Sequence, residues 1–127
     1  MELSTFATII GILEFMVGLP FLVASAATTA FVLQLVRNDA FMRVMGVVVV
    51  MITVLVLQDG YQVGTDAAGL IRLVAWIGLI KGLSAAWFPS FLAGISESIF
   101  GSVQMRPVLG VVAVAVGVLL LYGAQLV

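Results

Sequence analysis

Two ionisable side chains lie inside otherwise apolar stretches of the chain, and they are the residues best placed to do chemistry. Glu14 ends the run "IIGILE", and Lys81 ends the similar run "WIGLIK". A charge left in hydrocarbon costs about 2.5 to 3.5 kcal/mol even on the lenient insertion scale, so each group needs a partner or water. Such residues pair with one another or mark proton and ion pathways. The pattern therefore predicts either a structural ion pair or a transport site.

Glycines at helical spacing accompany both charges and recur in the last apolar segment. The six that define these helix faces are Gly11, Gly18, Gly78, Gly82, Gly110 and Gly117. The first two share a face with Glu14, and the next two share a face with Lys81. Because glycine lets two helix backbones approach closely, we interpret these faces as helix-packing seams.

The elements that position these residues are predicted to be membrane-spanning helices. The chain is 64% hydrophobic and 9% charged, with a mean hydropathy of +1.34, which is typical of an integral membrane protein. Such a chain must cross the bilayer as α-helices or as a closed barrel. The run "GVVVVMITVLVL" at 46–57 is apolar on every face, whereas a barrel strand would alternate. The predicted fold class is therefore all-α.

Four stretches have the length that a span requires, within one transmembrane domain covering 1–127. Their approximate ranges are 3–23, 40–57, 67–88 and 107–126. Glu2 precedes the first, where a secretory signal would carry bases, so we expect a retained helix. After Pro89, residues 90–103 have one apolar stripe and predict an interfacial helix before the fourth span, the alternative being an extension of the third. Residues 24–36 fit either a second such helix or a continuation of the first span.

The two halves of the chain follow the same order of features. Repeat 1 (about 3–58) and repeat 2 (about 67–126), joined by a polar loop at 59–66, each read as span, proline, weakly amphipathic segment, arginine and valine-rich span. This order predicts two tandem helical hairpins, although valine-rich helices also resemble one another by chance. The valine-rich spans align 64 residues apart, while "IIGILE" aligns on "WIGLIK" 67 apart, which predicts a three-residue gap. If a two-fold axis relates the halves, Glu14 and Lys81 face each other.

The second half, from "GLIKGLSAAW" to "VGVLLLYG", resembles a family of small two-span bacterial inner-membrane proteins. The matching residues are Gly82, Pro89, Arg106 and Gly110. Lys81 stands where the family has a glutamate; in the first half Glu14 keeps the acid, but Phe15 replaces the family's glycine. The resemblance implies a fold and a topology. It implies no activity, because the family has none assigned.

Several function classes lack the residues that they need. The chain has five basic and six acidic residues with no basic cluster, so we expect no nucleic-acid partner. It has neither cysteine nor histidine, so we predict no metal site and no cofactor. No residues combine a nucleophile with a base, so the chain is not predicted to be an enzyme.

We therefore predict a structural or accessory membrane subunit, packed in a homo-oligomer or against a larger complex. The alternative is a minimal ion or small-solute transporter or channel that uses Glu14 and Lys81; lipid or pigment association is a third. The expected partners are the lipid bilayer and other membrane subunits. We expect a prokaryotic cytoplasmic membrane, where Arg37, Arg43 and Arg106 place the intra-repeat connections inside and both termini outside.

Overall fold

The chain folds into six α-helices and no strands in a computed structural model that describes all residues, Met1–Val127. The helices are α1 (Leu3–Val23), α2 (Ser25–Arg37), α3 (Asp39–Leu57), α4 (Ala67–Trp87), α5 (Pro89–Phe100) and α6 (Met105–Leu126). Four of them, α1, α3, α4 and α6, are long and apolar enough to cross a membrane. The predicted all-α fold with four spans is confirmed, and the protein is a multi-pass membrane protein.

The two short helices are separate from the spans that precede them. The backbone leaves the helical conformation at Ala24 (φ −139°, ψ 64°) and at Phe88 (φ −132°, ψ 58°). Each of these residues still donates its amide to the carbonyl four residues earlier, at 2.8 Å and 2.7 Å. The predicted helix before the fourth span is confirmed as the separate helix α5. The same break makes α2 a helix of its own, so it does not continue the first span.

Side chains cap the N-termini of two of the spans, α3 and α4. Asn38 accepts a hydrogen bond from the Phe41 amide at the start of α3, and Asp66 accepts one from the Gly69 amide at the start of α4, each at 3.0 Å. Such caps satisfy amides that have no partner inside the helix. They explain why both spans begin at these residues.

The closest helix pairs join the two halves of the chain. Helix α1 packs along α6, and α3 packs along α4, whereas the two spans of one hairpin contact each other much less. Helices α2 and α5 pack against each other, and a 2.6 Å ion pair between Arg37 and Glu97 connects them. The tandem hairpins therefore interlock, since each close pair takes one helix from each half.

A cluster of buried apolar side chains holds the four spans together near the 58–66 connection. Its members come from α1, α3, α4 and α6, and they are Phe6, Ala7, Val56, Leu57, Ile71, Ala75 and Leu120. Phe6 and Val56 are each only 1% exposed. Since α1 and α4 contact each other far less than either contacts its close partner, this cluster is where the two close pairs are joined.

Residues 64 positions apart have matching neighbours in the two close pairs. A methyl group placed on Gly18 would meet Ala113 and Val114, and one placed on Gly82 would meet Val49 and Val50. These contacts of the α1–α6 pair thus correspond to contacts of the α3–α4 pair after a shift of 64. Helices α1 and α4 also have 21 residues each and begin 64 apart.

The predicted three-residue gap between the first spans is therefore wrong. With a uniform shift of 64, the residue equivalent to Glu14 is Gly78, and the residue equivalent to Lys81 is Val17. The alignment of "IIGILE" with "WIGLIK" displaces one apolar helix by three residues, almost one turn, relative to the other. Glu14 and Lys81 do not occupy equivalent positions.

Candidate functional site

Glu14 lies on α1 beside the seam with α6. The stripe of α1 that faces α6 includes Gly11, Phe15 and Gly18, whose neighbours on α6 include Gly117 and Val114. Glu14 is next to this stripe and half-buried. Its carboxylate makes no hydrogen bond and no ion pair with another residue of the chain. A carboxylate at mid-span is thus left without a polar partner.

Lys81, the only lysine, is exposed on α4 and also lacks a hydrogen-bonding or ionic partner. The three ion pairs of the structure are Met1 amine with Asp59, Arg37 with Glu97, and Arg43 with Asp39. The predicted direct contact between Glu14 and Lys81 is therefore absent, because the two positions are not related by the 64-residue shift.

The glycine faces do form close helix contacts, as the sequence predicts. Four of the glycines lie in the α1–α6 seam, and they are Gly11, Gly18, Gly110 and Gly117. In the other pair Gly82 lies against the carbonyl of Gly46, and Gly78 lies beside the methyl of Thr53. Gly46 is a further packing residue of this seam, and the sequence predictions do not include it. Its alignment with Gly110, 64 residues later, is the sequence signal that identifies it.

A groove of about 380 Å³ lies between α3, α4 and α5. Its walls carry large apolar side chains from α3 and α5, including Met42, Met45, Leu92, Ile95 and Ile99. Lys81 and Ser96 are its polar side chains. Sequence reasoning missed this groove, because it depends on how α5 turns back over the α3–α4 pair.

A second cavity, also of about 380 Å³, lies at the opposite end of the bundle. Its charged side chains are Glu2, Asp59 and Arg72, and Gly60 lies against the Arg72 guanidinium. The Nε of Arg72 is buried and has no hydrogen-bond partner. Two acids, Arg72 and the amino group of Met1 line the same space, so its charge does not single out one class of ligand.

No group of three or more acidic, histidine or cysteine side chains converges in a way that could hold a metal ion. No protein-family model, curated protein or solved structure matches the chain. The chemistry at hand is therefore that of two separate charges in a membrane-spanning bundle. Glu14 can accept a hydrogen bond or a proton, and Lys81 can bind an anion.

Proposed function

We propose that this protein is a structural or accessory subunit of a membrane assembly, in which α1 packs against a span of another chain. The observation that carries the proposal is Glu14, a half-buried carboxylate in mid-span with no partner inside the chain. Desolvating such a group is costly unless another donor satisfies it. A hydrogen-bond donor on an adjacent subunit removes that cost only in the assembly, which makes association favourable.

The surface next to Glu14 suits a helix-to-helix contact. Leu13, Met16 and Val17 surround it on α1 and are 50%, 67% and 48% exposed. Their side chains provide apolar contact area, while the carboxylate provides one directional hydrogen bond. Polar residues flanked by apolar ones commonly join helices in membranes in this way.

The matching neighbours at a 64-residue shift support an origin of the chain by tandem duplication of one helical hairpin. The resemblance to two-span bacterial inner-membrane proteins agrees with this origin. Arg37, Arg43 and Arg106 lie at the end of the bundle that carries α2 and α5, which supports a cytoplasmic location for that end under the positive-inside tendency. We propose the bacterial cytoplasmic membrane as the location.

The presence of two opposite charges inside apolar spans favours a second function, a minimal ion or small-solute transporter. Glu14 would then exchange a proton or a cation, and Lys81 would be its counter-charge. A transporter of this kind should lose flux across liposomes when Glu14→Gln removes the charge while keeping the shape. Equal flux through the wild type and Glu14→Gln would exclude this role for the carboxylate.

Purification from native membranes in a mild detergent tests the subunit proposal, with mass measured by native mass spectrometry. We expect a complex heavier than the 13.4 kDa chain, containing a second copy or a stoichiometric partner. Glu14→Leu should dissociate the complex, because leucine cannot accept the intersubunit hydrogen bond. Val17→Leu, an apolar change on the same helix, is the matched control and should leave the complex intact.

Two outcomes would contradict the proposal. One is a folded wild-type chain that runs as a monomer of 13.4 kDa with nothing bound to it. The other is a complex whose stability is the same for Glu14→Leu and for the wild type. Circular dichroism on each variant separates a loss of association from a loss of fold.

A further inference from the structure

The groove between α3, α4 and α5 is lined by small residues on α4, Gly82 and Ala85. The residue 64 positions before Ala85 is Phe21. Phe21 is 3% exposed, and its ring stacks on Phe100 with centroids 5.5 Å apart. The position that is a small lining residue of the groove on α4 is thus a large buried one on α1.

One cation lines the groove. It is Lys81, and the residue 64 positions earlier is the apolar Val17. Lys81 lies six residues before Trp87, the last residue of α4, which corresponds to about 9 Å along the helix axis. A lysine side chain covers part of this distance toward the membrane surface when it extends, while its methylene groups stay in apolar contact. The ammonium group can thus approach a headgroup at the end of the groove.

We propose that this groove binds an anionic phospholipid, with an acyl chain along the apolar walls and the phosphate on Lys81. The walls match an acyl chain because Met42, Met45 and Ile95 present flexible or branched apolar side chains. The ammonium group has no partner in the chain, so its protons are free for a phosphate oxygen. Ser96 lines the same groove and offers a hydroxyl to the headgroup.

The selectivity of this site should reside in the headgroup. An acyl chain that enters the groove leaves one apolar environment for another, so its contacts distinguish poorly between lipids. Anionic and zwitterionic lipids share the phosphate, but the zwitterionic headgroup adds a choline cation that the ammonium group repels. One lysine that meets the net negative charge of a headgroup corresponds to about a fivefold preference for the anionic lipid. This inference does not depend on the association of α1 with another subunit.

The test uses the full chain in nanodiscs that contain equal amounts of phosphatidylglycerol and phosphatidylcholine of the same acyl composition. After transfer to detergent, native mass spectrometry counts the lipids that stay bound. The wild type should keep about five phosphatidylglycerol molecules for each phosphatidylcholine. Lys81→Met, which keeps the length and apolar character of the stem, should bring the ratio close to one. Lys81→Arg should retain the preference.

A matched control places the same charge at the same depth without the groove. The double variant Val17→Lys/Lys81→Met has the net charge of the wild type, but its lysine lies outside the groove, which residue 17 does not line. It should show no preference. Ile95→Trp fills the groove from an exposed position and should also abolish it.

The proposal is overturned if the wild type binds the two lipids equally. It is also overturned if Lys81→Met, or the double variant, keeps the wild-type ratio, because the preference would then come from general surface charge. Variants are compared only after size-exclusion chromatography and circular dichroism show a wild-type fold. Should Lys81→Met fail this check, Ile95→Trp and Lys81→Arg still decide the outcome, since one must lose and the other keep the preference.

Discussion

The close contact between α3 and α4 at Gly46 makes Gly46→Ala the sharpest test of the packing described above. A methyl group on Gly46 would lie 2.5 Å from the Ala86 amide nitrogen and 2.6 Å from the Gly82 carbonyl oxygen. The shorter distance is about 0.9 Å below the 3.4 Å at which ordinary van der Waals contact begins. Both neighbouring atoms belong to the backbone, so no side-chain rotation can relieve the clash. Helix α3 must move away from α4.

The expected cost follows from that movement. Separating packed surfaces by 0.5 to 1 Å loses about a quarter to a half of their dispersion attraction, and overpacking of this kind costs about 1 to 3 kcal/mol. Alanine also favours the helix by about 1 kcal/mol over glycine, which offsets part of the loss. We therefore expect Gly46→Ala to lower the free energy of unfolding by about 1 to 2 kcal/mol. Reversible unfolding in mixed detergent micelles, followed by circular dichroism, measures this difference.

Gly94 in α5 provides the matched control, because a methyl group there meets nothing within 4 Å. Gly94→Ala should raise the free energy of unfolding by up to about 1 kcal/mol through helix propensity alone. Gly110→Ala should fall between the two, because its nearest neighbours include the flexible Leu22 side chain at 3.0 Å. If Gly46→Ala is as stable as Gly94→Ala, the α3–α4 contact is not as close as described and the reasoning fails.

Three further predictions concern single contacts and use the same unfolding assay. Asp66→Ala should cost about 1 kcal/mol, because the amide that it caps at the start of α4 loses its acceptor. A double-mutant cycle on Arg37 and Glu97 should give a coupling below about 1 kcal/mol that shrinks in high salt, since both side chains are largely exposed. Phe21→Ala should cost about 3 kcal/mol or more, because it removes a buried ring stacked on Phe100; a loss below about 1 kcal/mol would contradict this packing of the ring.

The number and the bounds of the helices could be predicted because hydropathy and length determine them directly. The four predicted spans agree with α1, α3, α4 and α6 to within two residues at every end. A bilayer requires about 20 apolar residues with internally satisfied backbone groups, and polar residues such as Gln58 and Asp66 end or begin the runs. Pro89 and the amphipathic segment that follows it similarly indicate the helix α5.

The helix pairing could not be read from the sequence in the same way. Apolar helices carry few residues that distinguish one register from another, so two runs that share a Trp-Ile-Gly or Ile-Ile-Gly pattern align easily in the wrong place. An alignment that matches Glu14 with Lys81 gives an offset of 67 residues, whereas Gly46 and Gly110 indicate an offset of 64. Backbone contacts at glycines settle the register, because only those positions allow two helices to approach so closely.

The shift of 64 bears on the role of the two intramembrane charges. A side chain that has the same neighbours in both close helix pairs can be explained by the packing of those pairs. Glu14 corresponds to Gly78 and Lys81 to Val17, so neither charge has a counterpart in the other helix pair. Close packing of one pair therefore occurs without a charge at the position where the other pair has one. Our two proposals accordingly place the partners of both charges outside the bundle, a donor on another subunit for Glu14 and an anionic headgroup for Lys81. Neutral variants at these two positions should therefore keep the fold and lose an interaction, whereas Gly46→Ala should weaken the fold itself.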